Sequence, residues 1–290
     1  MDVQTNLAYR PDSERGLLDV MIPDGDGPFP VVVCIHGGGW VGGNRDMLYP
    51  YGEILEKMGI ASVYPLYRVT GTHPHPAQEE DIFAALGWIA YHAREHRFDI
   101  ARIGLTGASA GGHLAALVGL KATRTSSLPY TVRCILPVCA PTDMISFASY
   151  AHDKPDLLNV IEALVGGGIV ENEERAKDAS PISHVHAKAP PCLCAHGDAD
   201  GVVPHAQSLE LVKALRQIGI SADAAIVPGV GHAAFMPDTD PPEPLGGGEP
   251  FRAFFRKHLL EAPGGQIAPR RPARARHGRR GHRQGVRRKR

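Results

Sequence analysis

Three short runs carry the residue types that nucleophilic chemistry needs. Gly107-Ala108-Ser109-Ala110-Gly111 fits G-x-S-x-G, with an apolar run before it and a helical pattern after it. In that setting a sharp strand-to-helix turn holds the serine in a strained backbone geometry, and small neighbours keep the turn free of clashes. A serine hydroxyl is a weak nucleophile until a neutral imidazole takes its proton, and the imidazole needs an anion to fix its tautomer. Gly229-Val230-Gly231-His232 offers the imidazole, just past an apolar run and 32 residues after Asp200 in His196-Gly197-Asp198-Ala199-Asp200. Ser109, Asp200 and His232 are therefore the expected nucleophile, acid and base. Asp198, the better turn former, and Asp143, which follows the preceding strand, are alternative acids.

Transition-state charge on an acyl oxygen needs converging N–H donors. His36-Gly37-Gly38-Gly39-Trp40 follows the apolar run 31–35. Its glycines let the backbone turn so that amides meet at one point, each donor being worth roughly 3–4 kcal/mol in an acyl-transfer site. Gly38 and Gly39, with the amide of Ala110, are the candidate oxyanion donors. A phosphate-cradling loop would require a Lys and a Ser or Thr after the glycines, whereas Trp40-Val41-Gly42-Gly43 follows here. His36 reads as a brace for the loop. His184 and His186 could suggest a metal pair, but no third ligand has suitable spacing, and both are expected to face solvent.

The elements that must position these residues alternate along the chain. Short, mostly apolar runs at 17–22, 31–35, 60–64, 102–105, 134–138, 191–195 and 223–227, nearly all with β-branched residues, read as strands. Helical patterns fall at 48–58, 77–95, 111–120, 206–218 and 250–260. That alternation predicts an α/β fold with a mostly parallel central sheet flanked by helices. Between 143 and 185 it lapses, with a helical run at 157–164 and a Gly166-Gly167-Gly168 break. This insertion is expected to form a small lid or pocket wall.

Composition bounds the rest. The last 28 residues hold ten Arg and Lys289 and no acid, which leaves 20 cations against 31 anions on the first 262. Residues 1–262 are expected to form one domain, and 263–290 a basic tail too poor in apolar side chains to fold. An acidic body argues against nucleic-acid binding, which needs a cationic face. Five cysteines, all in apolar runs, suit buried free thiols in a reducing compartment. No stretch approaches the ~20 apolar residues of a membrane span, and the start of the chain lacks a secretion-signal core. A cytoplasmic protein is expected, with no cofactor, metal or membrane partner. The oligomeric state stays open, a homodimer being one option.

Taken in order, HGGGW at 36–40, Tyr67-Arg68, Pro76 with Asp81, GASAGG at 107–112, Ser180-Pro181, the run 196–204 and GVGH at 229–232 form a pattern. With these pieces the chain resembles α/β-hydrolase serine esterases of the HGGGW type, the BD-FAE-like or hormone-sensitive-lipase-like carboxylesterases. The resemblance implies an α/β-hydrolase fold and hydrolysis of a small-molecule carboxylic ester through an acyl-enzyme, with Ser109, Asp200 and His232 as the triad. Two departures stand out. Only 35 residues precede His36, where larger relatives carry a longer cap, which implies an open pocket and short acyl chains. Ala108 stands where many relatives have Asp. Amide hydrolases similar to kynurenine formamidase or to dipeptidyl peptidases are the rival enzymes, and a non-catalytic binding protein is the rival from another class.

Overall fold

Apolar residues in the strands are divided between two layers. In β3 (Phe29–Ile35) every residue is buried. Val31, Val33 and Ile35 pack into one core cluster, and Val32 and Cys34 into another. A strand covered on both faces has no polar alternation to show, which is why it reads as a continuous apolar run. Each fully buried Val, Leu or Ile side chain contributes roughly 1.5–3 kcal/mol. The computed structural model describes residues 1–125, 127–232 and 248–261. Residues Met1–Leu260 make up one compact unit. The expected basic tail at 263–290 lies outside the described residues.

In chain order the elements are β1 (Asp2–Ala8), β2 (Leu17–Ile22), β3, α1 (Tyr49–Lys57), β4 (Ala61–Pro65), α2 (Ala77–Tyr91), α3 (Ala93–His96) and β5 (Phe98–Ala108). There follow α4 (Ala110–Ala122), β6 (Val132–Val138), α5 (Met144–Tyr150), α6 (Pro155–Val165), α7 (Glu173–Asp178), β7 (Cys192–Gly197), α8 (Ala206–Gln217), β8 (Ala222–Val227) and α9 (Glu249–Phe255). Among the described residues eight strands form one sheet, in the order β1-β2-β4-β3-β5-β6-β7-β8. β2 is antiparallel to both its neighbours, and the pairs from β4 to β8 are parallel. This is the α/β-hydrolase fold.

Side chains of α2, α4 and α8 pack into the first cluster, and those of α1 and α9 into the second, so helices cover both faces. In α4 every residue but Lys121 is buried. Its start lies so close to β3 that a Cβ on Gly111 would sit 1.9 Å from the Ile35 carbonyl oxygen. No other residue fits there, and the approach sets where the residue before the helix points.

Several elements differ from the sequence expectation. β1 has no apolar alternation to mark it, because its residues are mostly exposed. Pairing with β2 holds it, together with the Asn6 N–H donated to buried Asp19 at 2.7 Å. The pattern over 77–95 suggests one helix, but the chain breaks at His92 and turns into β5 through Arg97 at φ 59°. The 143–185 insertion holds three helices, α5, α6 and α7, and a 3-10 turn, Pro181–His184. Among the described residues no helix is long and apolar enough to cross a membrane.

Candidate active site

The carboxyl ends of β3, β5, β7 and β8 lead into the four loops that carry the candidate residues. Ser109 stands between β5 and α4 at φ 55°, ψ −120°, a conformation that costs an L-residue about 1–3 kcal/mol. Its N–H donates to the Val138 carbonyl at 2.8 Å, and its carbonyl accepts from His113 N–H at 2.9 Å. With both backbone groups held by neighbouring elements, Oγ is left at the pocket floor.

The Ser109 hydroxyl lies 3.0 Å from His232 Nε2. Nδ1 of the same ring donates to Asp200 Oδ2 at 2.7 Å, which leaves Nε2 as the acceptor for the serine proton. The Asp200 side chain is fully buried, while that of His232 is 25% exposed. Burial alone would raise the Asp200 pKa. Hydrogen bonds from His196, His232 and the Val203 N–H outweigh it and hold the carboxyl well below the usual carboxylate range. Oδ1 accepts from the N–H groups of Val202 and Val203, each at 2.9 Å. The acid is therefore ionised and fixed on both oxygens.

The structure brings Ser109, His232 and Asp200 together and leaves the other acids elsewhere. Asp198 Oδ1 accepts the Gly229 N–H at 2.6 Å, tying the β7 loop to the loop that carries His232. Asp143 caps α5 by accepting from Ile145 and Ser146 N–H.

Gly38 and Gly39 adopt φ 112° and 58°, and a Cβ on Gly38 would lie 2.5 Å from the Gly42 carbonyl oxygen. Only glycine allows this turn. Ala110 is the first residue of α4, and the first amides of a helix have no partner within it. His36 is buried and stacks on Tyr67, with ring centroids 4.3 Å apart. Its Nδ1 donates to the Gly37 carbonyl at 2.7 Å, and the Tyr67 hydroxyl donates to the His36 carbonyl at 3.0 Å. Burial pushes the His36 pKa down to about 4, so the ring braces the loop as a neutral group. Arg68 in turn donates to buried Asp81 from its backbone N–H and from Nε.

Two histidines that spacing did not single out support the site. His196 is fully buried and donates from Nε2 to Asp200 Oδ2 at 3.1 Å, while its Nδ1 accepts from Ser208 Oγ at 2.8 Å. His113, on α4, accepts the Trp40 indole N–H at 3.1 Å and donates to the Ala179 carbonyl at 2.6 Å. It links the glycine loop to the end of the insertion. No local pattern marks either one: the partners of His196 follow it on the β7 loop and α8, and those of His113 come from the glycine loop and the insertion. His184 corrects an expectation: it is buried, and it donates to the Asp178 carbonyl at 2.8 Å. His186 lies against the Leu120 carbonyl, at 2.9 Å.

A cavity of about 430 Å³ opens above Ser109. Trp40, Met47, Phe147, Leu157, Val160 and Val202 make its apolar wall, and among the described lining residues none is Asp, Glu, Lys or Arg. Phe147 belongs to α5, and Leu157 and Val160 to α6, so the insertion forms one side. All five cysteines are buried and outside disulfides, and Cys139 lines this cavity.

The sheet order and this constellation define an α/β-hydrolase. The BD-FAE family model matches residues 18–215, and the chain belongs to that family. It is 31% identical over 241 residues to Esterase LipQ of Mycobacterium tuberculosis, covering 79% of this chain and 56% of that protein. It is 32% identical over 206 residues to the probable carboxylic ester hydrolase LipM of the same organism, covering 68% of this chain and 47% of that one. The chain thus spans about half the length of these curated relatives. A solved structure described as a truncated form of carbohydrate esterase from gut microbiota superposes with a TM-score of 0.74 at 27% identity, covering 90% of this chain and 97% of that one.

Proposed function

We propose that this protein is a serine carboxylesterase that hydrolyses small, uncharged carboxylic esters through an acyl-enzyme. The observation that carries the reading is the Ser109–His232–Asp200 relay, at 3.0 and 2.7 Å, opening into an apolar cavity. The esterase names of the relatives support it.

Ser109 Oγ attacks the ester carbonyl carbon while His232 Nε2 takes its proton. The carbonyl oxygen becomes an oxyanion, held by the amides of Gly38, Gly39 and Ala110. Asp200 steadies the imidazolium. The tetrahedral intermediate collapses as His232 protonates the leaving alcohol, leaving an ester on Ser109. Water, deprotonated by His232, then releases the carboxylic acid and restores the hydroxyl. These steps use only the side chains and amides named here.

The cavity wall disfavours the amide readings. An aminoacyl substrate brings an ammonium and formylkynurenine an amino-acid head group, and no charged side chain among the described lining residues would grip either. A reducing, cytoplasmic setting is supported by the five buried thiols. The reading involves no nucleic-acid or membrane partner and leaves a homodimer open.

The test is hydrolysis of p-nitrophenyl acetate and butyrate by the parent, Ser109→Ala and His232→Ala proteins. Turnover in the parent and loss of at least ~10³-fold in both variants is expected. Comparable rates in the Ser109 variant would refute the assignment.

A further inference from the structure

Beside the relay lies a thiol that the proposed reaction does not use. Cys139 Sγ, a carboxylate oxygen of Asp200 and a ring nitrogen of His232 all lie within 4.8 Å of one another. Cys139 follows β6 at φ 47° and lines the same cavity as Ser109 and His232, and Asp200 lies buried against the His232 ring, 2.7 Å from Nδ1.

We propose that Cys139, Asp200 and His232 form a chelating site for a borderline divalent cation, Zn²⁺ being the prototype, and that its occupation switches off Ser109. The donor set is one thiolate, one imidazole and one carboxylate, each a familiar zinc ligand with bonds of ~2.0–2.3 Å, and water completes a tetrahedron. His232 Nδ1 and Asp200 Oδ2 face each other at 2.7 Å and need to part by only a few tenths of an ångström to admit the ion. Asp200 Oδ1 keeps its two backbone donors, so the carboxylate stays aimed. His196, already donating to Oδ2, becomes the outer partner that orients a ligating carboxylate.

Among the described residues two other groups have ligand spacing but lack this disposition. In His75, Glu79 and Asp178 the place is taken by the Lys121 ammonium, 2.7 Å from Glu79 and 3.0 Å from Asp178. In His92, Glu95 and His96, the His96 ring is stacked on Trp88 and Phe98.

Occupation changes the tautomer. The cation bonds to the Nδ1 lone pair, the ring proton moves to Nε2, and the thiol proton leaves to solvent; nothing is oxidised or reduced. Nε2–H then faces Ser109 Oγ across 3.0 Å as a donor, and the base that would accept the serine proton is gone. The inhibition rests on the esterase reading; the binding does not.

The experiment has two arms on the full chain. Co²⁺ is added to the parent, Ser109→Ala and Cys139→Ser proteins, and the thiolate-to-metal charge-transfer band is recorded. The band should appear in the first two and vanish in the third. Zn²⁺ inhibition of p-nitrophenyl butyrate hydrolysis is then measured with EDTA reversal, each variant against its own metal-free rate. Cys139→Ser and Cys139→Ala should raise the half-inhibiting Zn²⁺ concentration at least ~10-fold, the loss that even an outer partner's removal brings, whereas Cys34→Ala should not. Equal sensitivity of the Cys139 variants to Zn²⁺, or no thiolate band in the parent, would overturn the proposal. A band in a parent protein without ester turnover would support the cation site and count against the esterase reading alone.

Discussion

His196 and His232 meet on a single oxygen: both rings donate to Asp200 Oδ2, at 3.1 and 2.7 Å. The first ring is fully buried and its other nitrogen is held by Ser208. It therefore acts as a fixed stop against which the carboxylate is aimed.

This makes His196 a positioning residue with a specific signature. His196→Leu removes one hydrogen bond to a charged group, worth about 1.5–3 kcal/mol, so kcat should fall roughly 10–100-fold. KM should stay near the parent value, because His196 is not among the lining residues of the cavity. Rates are normalised to the fraction of sites titrated by a fluorophosphonate, so misfolded protein does not count. A rise in KM at constant kcat would contradict this role.

The helix α6 should set acyl length. Leu157 and Val160 project from it into the cavity, and Val160 lies against the glycine loop, 3.2 Å from where a Cβ on Gly39 would be. Leu157→Ala with Val160→Ala should let about two more methylenes into the pocket. At ~0.8 kcal/mol each, the ratio of kcat/KM for hexanoate over butyrate esters should rise about tenfold. An unchanged chain-length profile would place the acyl group elsewhere.

Buried neutral histidines should make the fold sensitive to mild acid. Burial pushes His113 down to about 3 and His36 to about 4, both from an ordinary value of 6.5. Between those values and 6.5 the unfolded chain binds protons that the folded one does not, so stability falls as pH drops through this window. Each group contributes up to ~1.4 kcal/mol per pH unit there. Asp200, whose pKa is lowered, adds its loss only below the ordinary value of 3.8. His113→Gln should start less stable at pH 7 and lose less Tm than the parent between pH 7 and pH 4.5. Parallel Tm curves would show that the ring is protonated in the fold.

Much of this site was legible because its chemistry demands local devices. The strained serine needs small neighbours on both sides, the turn through Gly38 and Gly39 needs consecutive glycines, and His232 and Asp200 each follow an apolar run. Asp200 stands out from Asp198 and Asp143 by its distance past the strand end, and of the three it is the one hydrogen-bonded to the His232 ring. The supporting groups left no such mark. His196 lies next to last in a buried strand, His113 in the first turn of a helix and Cys139 just past an apolar run, and what each touches is decided by how loops and neighbouring elements fold back on it, not by its own local pattern. β1 leaves no mark in the sequence for a related reason: an exposed edge strand is defined by its partner's register, not by its own pattern.

The account depends most on Ser109 being the activated nucleophile. Intact-mass analysis after treatment with a fluorophosphonate tests this without any choice of substrate. The parent should gain one phosphonyl group, located at Ser109, and Ser109→Ala and His232→Ala should gain none. A parent that stays unmodified while folded, or a Ser109→Ala protein labelled as fast as the parent, would contradict it.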